Sequence, residues 1–542
     1  MQPDHTSAVA QYSFGDTLAE QEAQLRTNPL LQRFRATRQA KAGDPVRPIY
    51  HFCNPDGRLN DPNGLCFWQG RWHLFYQAFP PEDPRPHWAH AVSDDLIHWR
   101  DLPYAIYPHP EHGCWSGASL VDGDRVIVHY YGHQLGNVSA ISRDPLLLNW
   151  QKVPGGIPEP KVNEPSQPYQ VYDPCIWKKD GAYYSLSGGT LPTGPRGLQR
   201  RANFLFRSED LETWEYLHPF VEDDLFSANG DDGACPYFWP IGDKHMLLYY
   251  SHRNGGQYLI GDYDQARDKL IARDCGRFNF GASWPGGIHA PSATPDGKGG
   301  LIAIFNVNWG MPSLGWSEEE RQVRHFGCWE GQQLMSLPRH LSLSASGDVQ
   351  IEPAGDIESL RGRHTQIADC TIKGNSETVF DQLAGNAIEL SLEVETSGAP
   401  LIELDVLRSP DQQEYTRIAF YRDRGVKPLE PGIGAGTPPT SEGTYSLVAL
   451  DSSHASIQPQ ARSRPPEIAP VFLAPEENLK MRVFVDKSIV EVFVNNRQCL
   501  AVRMYPNRQD SVGVALRAVG RDVRLVALDA WEMKSIYSPT DQ

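Results

Sequence analysis

Short runs of alternating apolar and polar residues, repeatedly broken by Gly, Pro, Asn or Asp, fill most of this chain. Between Pro48 and Leu343 they include RWHLFYQAF, RVIVHYYG, AYYSLSGG, KHMLLYYSH and GLIAIFNVNWG. A period near two residues with frequent turn formers predicts strands, not helices. Several of these runs carry a D-x-x-x-W signature nearby: DDLIHW, DLETW and, more loosely, DPLLLNW. Strand units that recur with a motif over about 300 residues predict a β-propeller; a large sandwich or barrel is the competing all-β reading. A second all-β region spans about 365–535 and contains AIELSLEVE, LIELDVL, LKMRVFVDKSIVEVFVNN and VRLVALDAWEM. Alternation such as M-R-V-F-V is that of sandwich strands with one buried face. Residues 425–470, rich in Gly, Pro and Ser, read as a long loop inside that region. Only 16–42 breaks the pattern. It is rich in Ala, Glu, Gln, Leu and Arg and predicts one or two helices broken near Pro29, in an N-terminal extension over 1–47.

Composition narrows the function classes. The 542 residues carry 50 Lys+Arg against 67 Asp+Glu, a net charge of −17. An acidic surface repels phosphate backbones, so nucleic acid is not expected as a partner. The first residues have no basic stretch followed by an apolar one, and no apolar run of about 18 residues occurs. No membrane association and a cytoplasmic location are therefore the expectations, with secretion as the alternative if a leader has been removed. Nine scattered cysteines without a C-x-x-C pair argue against a zinc or thioredoxin-like motif and read as mostly reduced, buried thiols. No phosphate loop, dinucleotide fingerprint or nucleophile elbow is present, so neither a metal nor a cofactor is expected.

The segment HFCNPDGRLNDPNGLCFWQGRWHLFYQAFP (51–80) concentrates the candidate chemistry. Its N-D-P-N-G places Asp61 in a run of turn formers, which alone would be an ordinary turn. The neighbouring Trp68, Trp72, Phe75, Tyr76 and Gln77 give that carboxylate the setting of a sugar site. Asp173 in QVYDPCIW and the pair Asp231 and Asp232 in NGDDGACPYFW supply carboxylates in two further strand-turn contexts. Cleaving a glycosidic bond with retention needs one carboxylate to attack and a second group to donate a proton. A propeller axis would bring such separate segments together.

Read in order, these segments resemble glycoside hydrolase family 32, the invertase, inulinase, levanase and fructosyltransferase group. N-D-P-N-G with the trailing HLFYQ resembles its nucleophile motif. HWAHAVSDDLIHW (87–99), WSG (115–117), Y-D-P (172–174), G-A-C-P (233–236), HAP (289–291), SLPRHLSL (336–343) and RVFVDKSIVEVFVNNRQ (482–498) fall where the family has its other motifs. The resemblance implies a five-bladed propeller over 48–350 and a C-terminal β-sandwich over 365–537. It further implies a retaining enzyme acting on β-fructofuranosides such as sucrose or fructans, with Asp61 as nucleophile and Asp173 as transition-state stabiliser. Asn60, Gln77, Ser116, Tyr172 and Ala234 fall at positions that contact substrate; Trp88 and Trp115 are candidates for the same pocket, and for these two as for Trp284 and Trp309 propeller core is the equal alternative. Asp486 and Glu491 belong to the packing of the second domain, and the D-x-x-x-W repeats to blade closure.

Two positions depart from the family. The acid/base glutamate is replaced by Ala234, and the arginine before Asp173 by Tyr172. Alanine cannot donate a proton. Three readings stay open: an introduced substitution, a substitute carboxylate, or a weakly active relative that binds a furanoside. A fructosyltransferase is a further alternative. For the substitute, Asp232 shares a strand face with Ala234, Gly233 offers a bend, and Asp231 and Glu164 are further candidates.

Overall fold

Both α-helices among the described residues precede the first strand. The structure, a computed structural model, describes residues 5–537 apart from 161–166, 192–198, 282–286, 309–332, 397, 425–443, 459–460, 462–463 and 475. Glu164, Trp284 and Trp309 lie outside the described residues. The helices are Leu18–Arg26 and Pro29–Lys41. Thr17 and Glu20 cap the first reciprocally, side chain to backbone in both directions. Pro29 starts the second helix where its missing N–H costs nothing, and Asn28 Oδ1 accepts from the Leu30 and Leu31 N–H groups. Leu30, Leu31 and Phe34 bury against the main body, and Arg38 grips Asp101 at 2.7 Å through two nitrogens.

Five antiparallel sheets follow in chain order, each a meander whose first strand lies innermost. The innermost strands are Arg58–Trp68 (blade I), Cys114–Asp122 (II), Cys175–Lys179 (III), Ala234–Ile241 (IV) and Ile288–Pro295 (V). Each packs against the next, and that of blade V against that of blade I, so the ring is closed with five blades. Among the described residues no strand is exchanged between the first and last blades.

The D-x-x-x-W repeats build the turns on the outer side of three blades. Asp95, Asp144 and Asp210 each accept from two backbone N–H groups that follow them and from a serine two residues before. Leu96, Leu147 and Leu211 take left-handed φ values in these turns. The indoles of Trp150 and Trp214 donate back to the Leu147 and Leu211 carbonyls.

The second domain is a sandwich of a seven-stranded and a six-stranded antiparallel sheet with its own apolar core. The expectation of a loop across 425–470 is corrected here. Thr444–Asp451 and Glu467–Leu473 are paired strands at the edge of the six-stranded sheet, and residues 425–443 lie outside the described residues. Val448 and Leu450 bury into the sandwich core; the Gly/Pro-rich flank had masked their alternation.

The hairpin Leu479–Asp486/Ile489–Val494 joins the two domains. Buried Asp486 accepts from the Ile49, Tyr50 and His51 N–H groups at 2.8 Å and from His51 Nδ1 at 2.9 Å. Buried Glu491 accepts from Leu337 N–H at 3.1 Å and from Arg339 at 3.2 Å. Both carboxylates therefore carry contacts between the domains.

Candidate active site

A register shift interrupts four of the five innermost strands near their N-terminal ends, between Leu59 and Pro62, Cys114 and Gly117, Ala234 and Tyr237, and Ile288 and Pro291. Such bulges re-aim side chains. These carry Asp61, Ser116, Cys235 and His289. On blade III, Asp173 stands two residues ahead of its strand with φ +42°, and Cys235 has φ +46°. Left-handed backbone at non-glycine residues costs of order 1–3 kcal/mol and clusters at functional sites.

Asp61 lies at the centre and is only 6% exposed. Its Oδ2 accepts from Ser116 Oγ at 2.6 Å and Gln77 Nε2 at 3.2 Å, and its Oδ1 lies 3.1 Å from His289 Nδ1. Cys235 Sγ stands 3.7 Å from Asp61 Oδ2 and 3.7 Å from Asp173 Oδ2, so one thiol bridges the two carboxylates. Asn60 donates to Gln77 Oε1 and accepts from Gln333, and Asn306 completes this polar belt.

Their surroundings split the proton affinities of the two carboxylates. Burial alone would raise the pKa of Asp61, but His289 and Ser116 outweigh it and hold Asp61 below its ordinary value. Asp173 is pushed up to about 7, first by burial and then by the charge of Asp61. Burial and both carboxylates also keep the Cys235 thiol protonated.

The predicted residues divide into three groups. Asp61, Asp173, Asn60, Gln77 and Ser116 converge, and buried Gln77 and Ser116 spend their donors on Asp61, fixing its orientation. Trp115 is half-buried beside Phe79. Trp88 and Ala234 are corrections. Trp88 is 0% exposed, packs on Phe75 and Tyr130, and donates to the Trp115 carbonyl, so it supports the pocket from behind. Ala234 is also 0% exposed, in an apolar cluster with Cys235, Tyr250 and Ala290 against which Tyr172 packs. The Tyr172 hydroxyl donates to the Asp232 carbonyl at 2.8 Å and so braces the segment that carries Ala234.

Tyr172 and Ala234 thus fit one another. With Tyr172 in place, Ala234→Glu is expected to lower stability by about 1–3 kcal/mol through overpacking and to add no turnover. Urea midpoints and fructoside assays of the variant check this; a large gain in rate would show that the glutamate can still be seated.

The other acids at this rim have defined partners. Asp231 is fully buried and accepts from Asn254, Gln257 and the Ala228 N–H. Asp232 accepts from His252 Nδ1 at 2.5 Å and from the His252 N–H at 3.3 Å. Sequence reasoning had not singled out His252, Cys235, His289, Asn306 or Gln333. Cys235 and His289 stood in the G-A-C-P and HAP segments, whereas His252, Asn306 and Gln333 stood in no motif.

The family model described as "Glycosyl hydrolases family 32 N-terminal domain" matches residues 51–353, and "Glycosyl hydrolases family 32 C terminal" matches 356–532. The chain is 26% identical over 569 residues to an insoluble isoenzyme 1 of beta-fructofuranosidase from Oryza sativa subsp. indica, covering 90% of this chain and 91% of the relative. It is 26% identical over 545 residues to a levanase of Bacillus subtilis, covering 92% and 72%. Among solved structures, fructan 1-exohydrolase IIa from Cichorium intybus superposes with a TM-score of 0.73 at 22% identity, covering 91% of this chain and 98% of that one. A second structure of that enzyme, a variant in complex with 1-kestose, superposes with the same TM-score.

Proposed function

The chain belongs to glycoside hydrolase family 32, and we propose that it hydrolyses β-fructofuranosidic bonds with retention through Asp61. The observation that carries this reading is the Asp61–Asp173 pair: a buried carboxylate held ionised, next to a second one whose pKa is raised to about 7. Asp61 attacks the anomeric carbon of the fructosyl unit. Ser116, Gln77 and His289 hold its oxygens in one orientation and lower the entropy cost of reaching the transition state. Asp173 meets the positive charge that develops on the ring, an interaction stronger in the transition state than in the ground state. Water then releases fructose from the enzyme ester.

Purified protein incubated with sucrose, inulin and levan tests the reading. Free fructose is the expected product, and in the presence of methanol, methyl β-fructofuranoside. Lengthened oligosaccharides without free fructose would favour a transferase. Ligand binding without any release would leave a furanoside-binding protein.

The acid limb of kcat/KM follows from Asp173. Its pKa is raised, so it is protonated below about 7 and ionised above. Activity that needs the anion is therefore lost as pH falls through about 7. A profile for the free enzyme that stays flat down to about pH 5 would show that Asp173 is not needed as an anion.

A further inference from the structure

Ala234 leaves the reaction without its usual proton donor. Asp231 is enclosed by donors, and the carboxylate of Asp232 is bound to a histidine. That histidine, His252, follows the strand Lys244–Ser251, in which Tyr250 pairs with Ala234. Its ring lies 5.3 Å from that of Tyr250 and 6.3 Å from that of His289, centroid to centroid. His289 is the residue 3.1 Å from the nucleophile carboxylate. The His252 side chain is 60% exposed. Among the described residues its Nε2 has no hydrogen-bond partner, while Nδ1 is taken by Asp232.

We propose that His252, oriented by Asp232, is the proton donor and acceptor that replaces the glutamate missing at position 234. This rests on the reading of Asp61 as nucleophile. In the first step, Asp61 forms a bond to the anomeric carbon as the glycosidic C–O bond breaks. The electron pair goes to the leaving oxygen, which takes the Nε2 proton and leaves a neutral imidazole. In the second step, water attacks the same carbon, its proton returns to Nε2, and Asp61 departs as carboxylate. An Asp–His couple suits this cycle, because the carboxylate fixes the ring and stabilises the imidazolium.

The groups around His252 favour its charged form. Asp232 from the loop entering blade IV raises its pKa most, Asp173 from blade III and Asp61 from blade I add to this, and burial opposes them; the result is about 9. His289 of blade V and Tyr250 of its own blade complete the surroundings. The raised pKa means protonated below about 9 and neutral above. The first step is therefore lost as pH rises through about 9.

The test compares sucrose, whose leaving oxygen needs a proton, with 4-nitrophenyl β-D-fructofuranoside, whose nitrophenolate leaves without one. In His252→Gln the ratio of kcat/KM for sucrose to that for the nitrophenyl fructoside is expected to fall by roughly 10²–10⁴-fold. The alkaline limb of the sucrose profile is expected to disappear. Azide is expected to restore nitrophenyl turnover by replacing water, with fructosyl azide as product. Asp232→Asn should move the alkaline limb toward the ordinary histidine value of about 6.5. An unchanged ratio, or a limb that neither variant moves, overturns the proposal. Native protein that cleaves the nitrophenyl fructoside but not sucrose keeps Asp61 in its role and overturns His252 as acid. Native protein that cleaves neither overturns the hydrolase reading, and the role of His252 with it.

Discussion

Asp61→Asn is expected to reduce kcat/KM on sucrose or fructan by roughly 10⁴-fold or more, the scale seen when a catalytic nucleophile is removed. The change is nearly isosteric. The amide oxygen can still accept from Ser116 and Gln77, which hold Oδ2 at 2.6 and 3.2 Å. The pocket should keep its shape and bind a fructose-terminated sugar within about tenfold of the native affinity, a shift of about 1.4 kcal/mol. Loss of turnover with retained binding, measured by fructose release and calorimetry, separates a chemical role from a structural one. A variant that keeps a tenth or so of native activity would remove Asp61 from the reaction.

The second large effect is on stability. Asp486 is fully buried and receives three backbone N–H groups and one imidazole from 49–51. Asp486→Ala leaves those donors in a dry interface. It also strands His51, whose pKa Asp486 and Glu491 raise against the opposing effect of burial. Removing one member of a buried ionic cluster costs about 3–5 kcal/mol. Each kcal/mol lowers the melting midpoint of a large domain by roughly 2–4 °C, so a drop of at least about 6 °C is expected in a thermal scan. A shift below about 2 °C would show that the contacts between the domains do not depend on this residue.

Much of the architecture was readable in the chain. Strand alternation and the D-x-x-x-W turns act locally, between residues a few positions apart, so Asp95, Asp144 and Asp210 announced their blades directly. The number of blades came through the family resemblance, since nothing local counts them. Asp61 was singled out by the aromatic residues that follow its turn, and the roles of Asp61 and Asp173 came only through the family resemblance, because turn formers by themselves mark a turn. What stayed hidden depends on bulges and on packing across blades. A register shift of one residue decides whether a side chain faces the axis, and Trp88, adjacent to the pocket in sequence, is turned into the core. His252 stands two strands beyond Asp232, in no motif, and only folding makes them partners. Val448 and Leu450 were lost to the composition of their neighbours.

The Asp486–Glu491 hairpin has a mechanical consequence. Asp486 holds the segment just before blade I, and Glu491 holds Leu337 and Arg339 in blade V. Among the described residues the ring shares no strand across that seam, so the sandwich serves as its clasp. The same seam runs through the candidate active site, where Asp61 of blade I meets His289 of blade V and Asn60 meets Asn306. Loosening the clasp is expected to part those pairs before any blade melts. Heating should therefore extinguish catalysis ahead of the loss of β-structure, with the sandwich, remote from the sugar, setting the working temperature range of the enzyme.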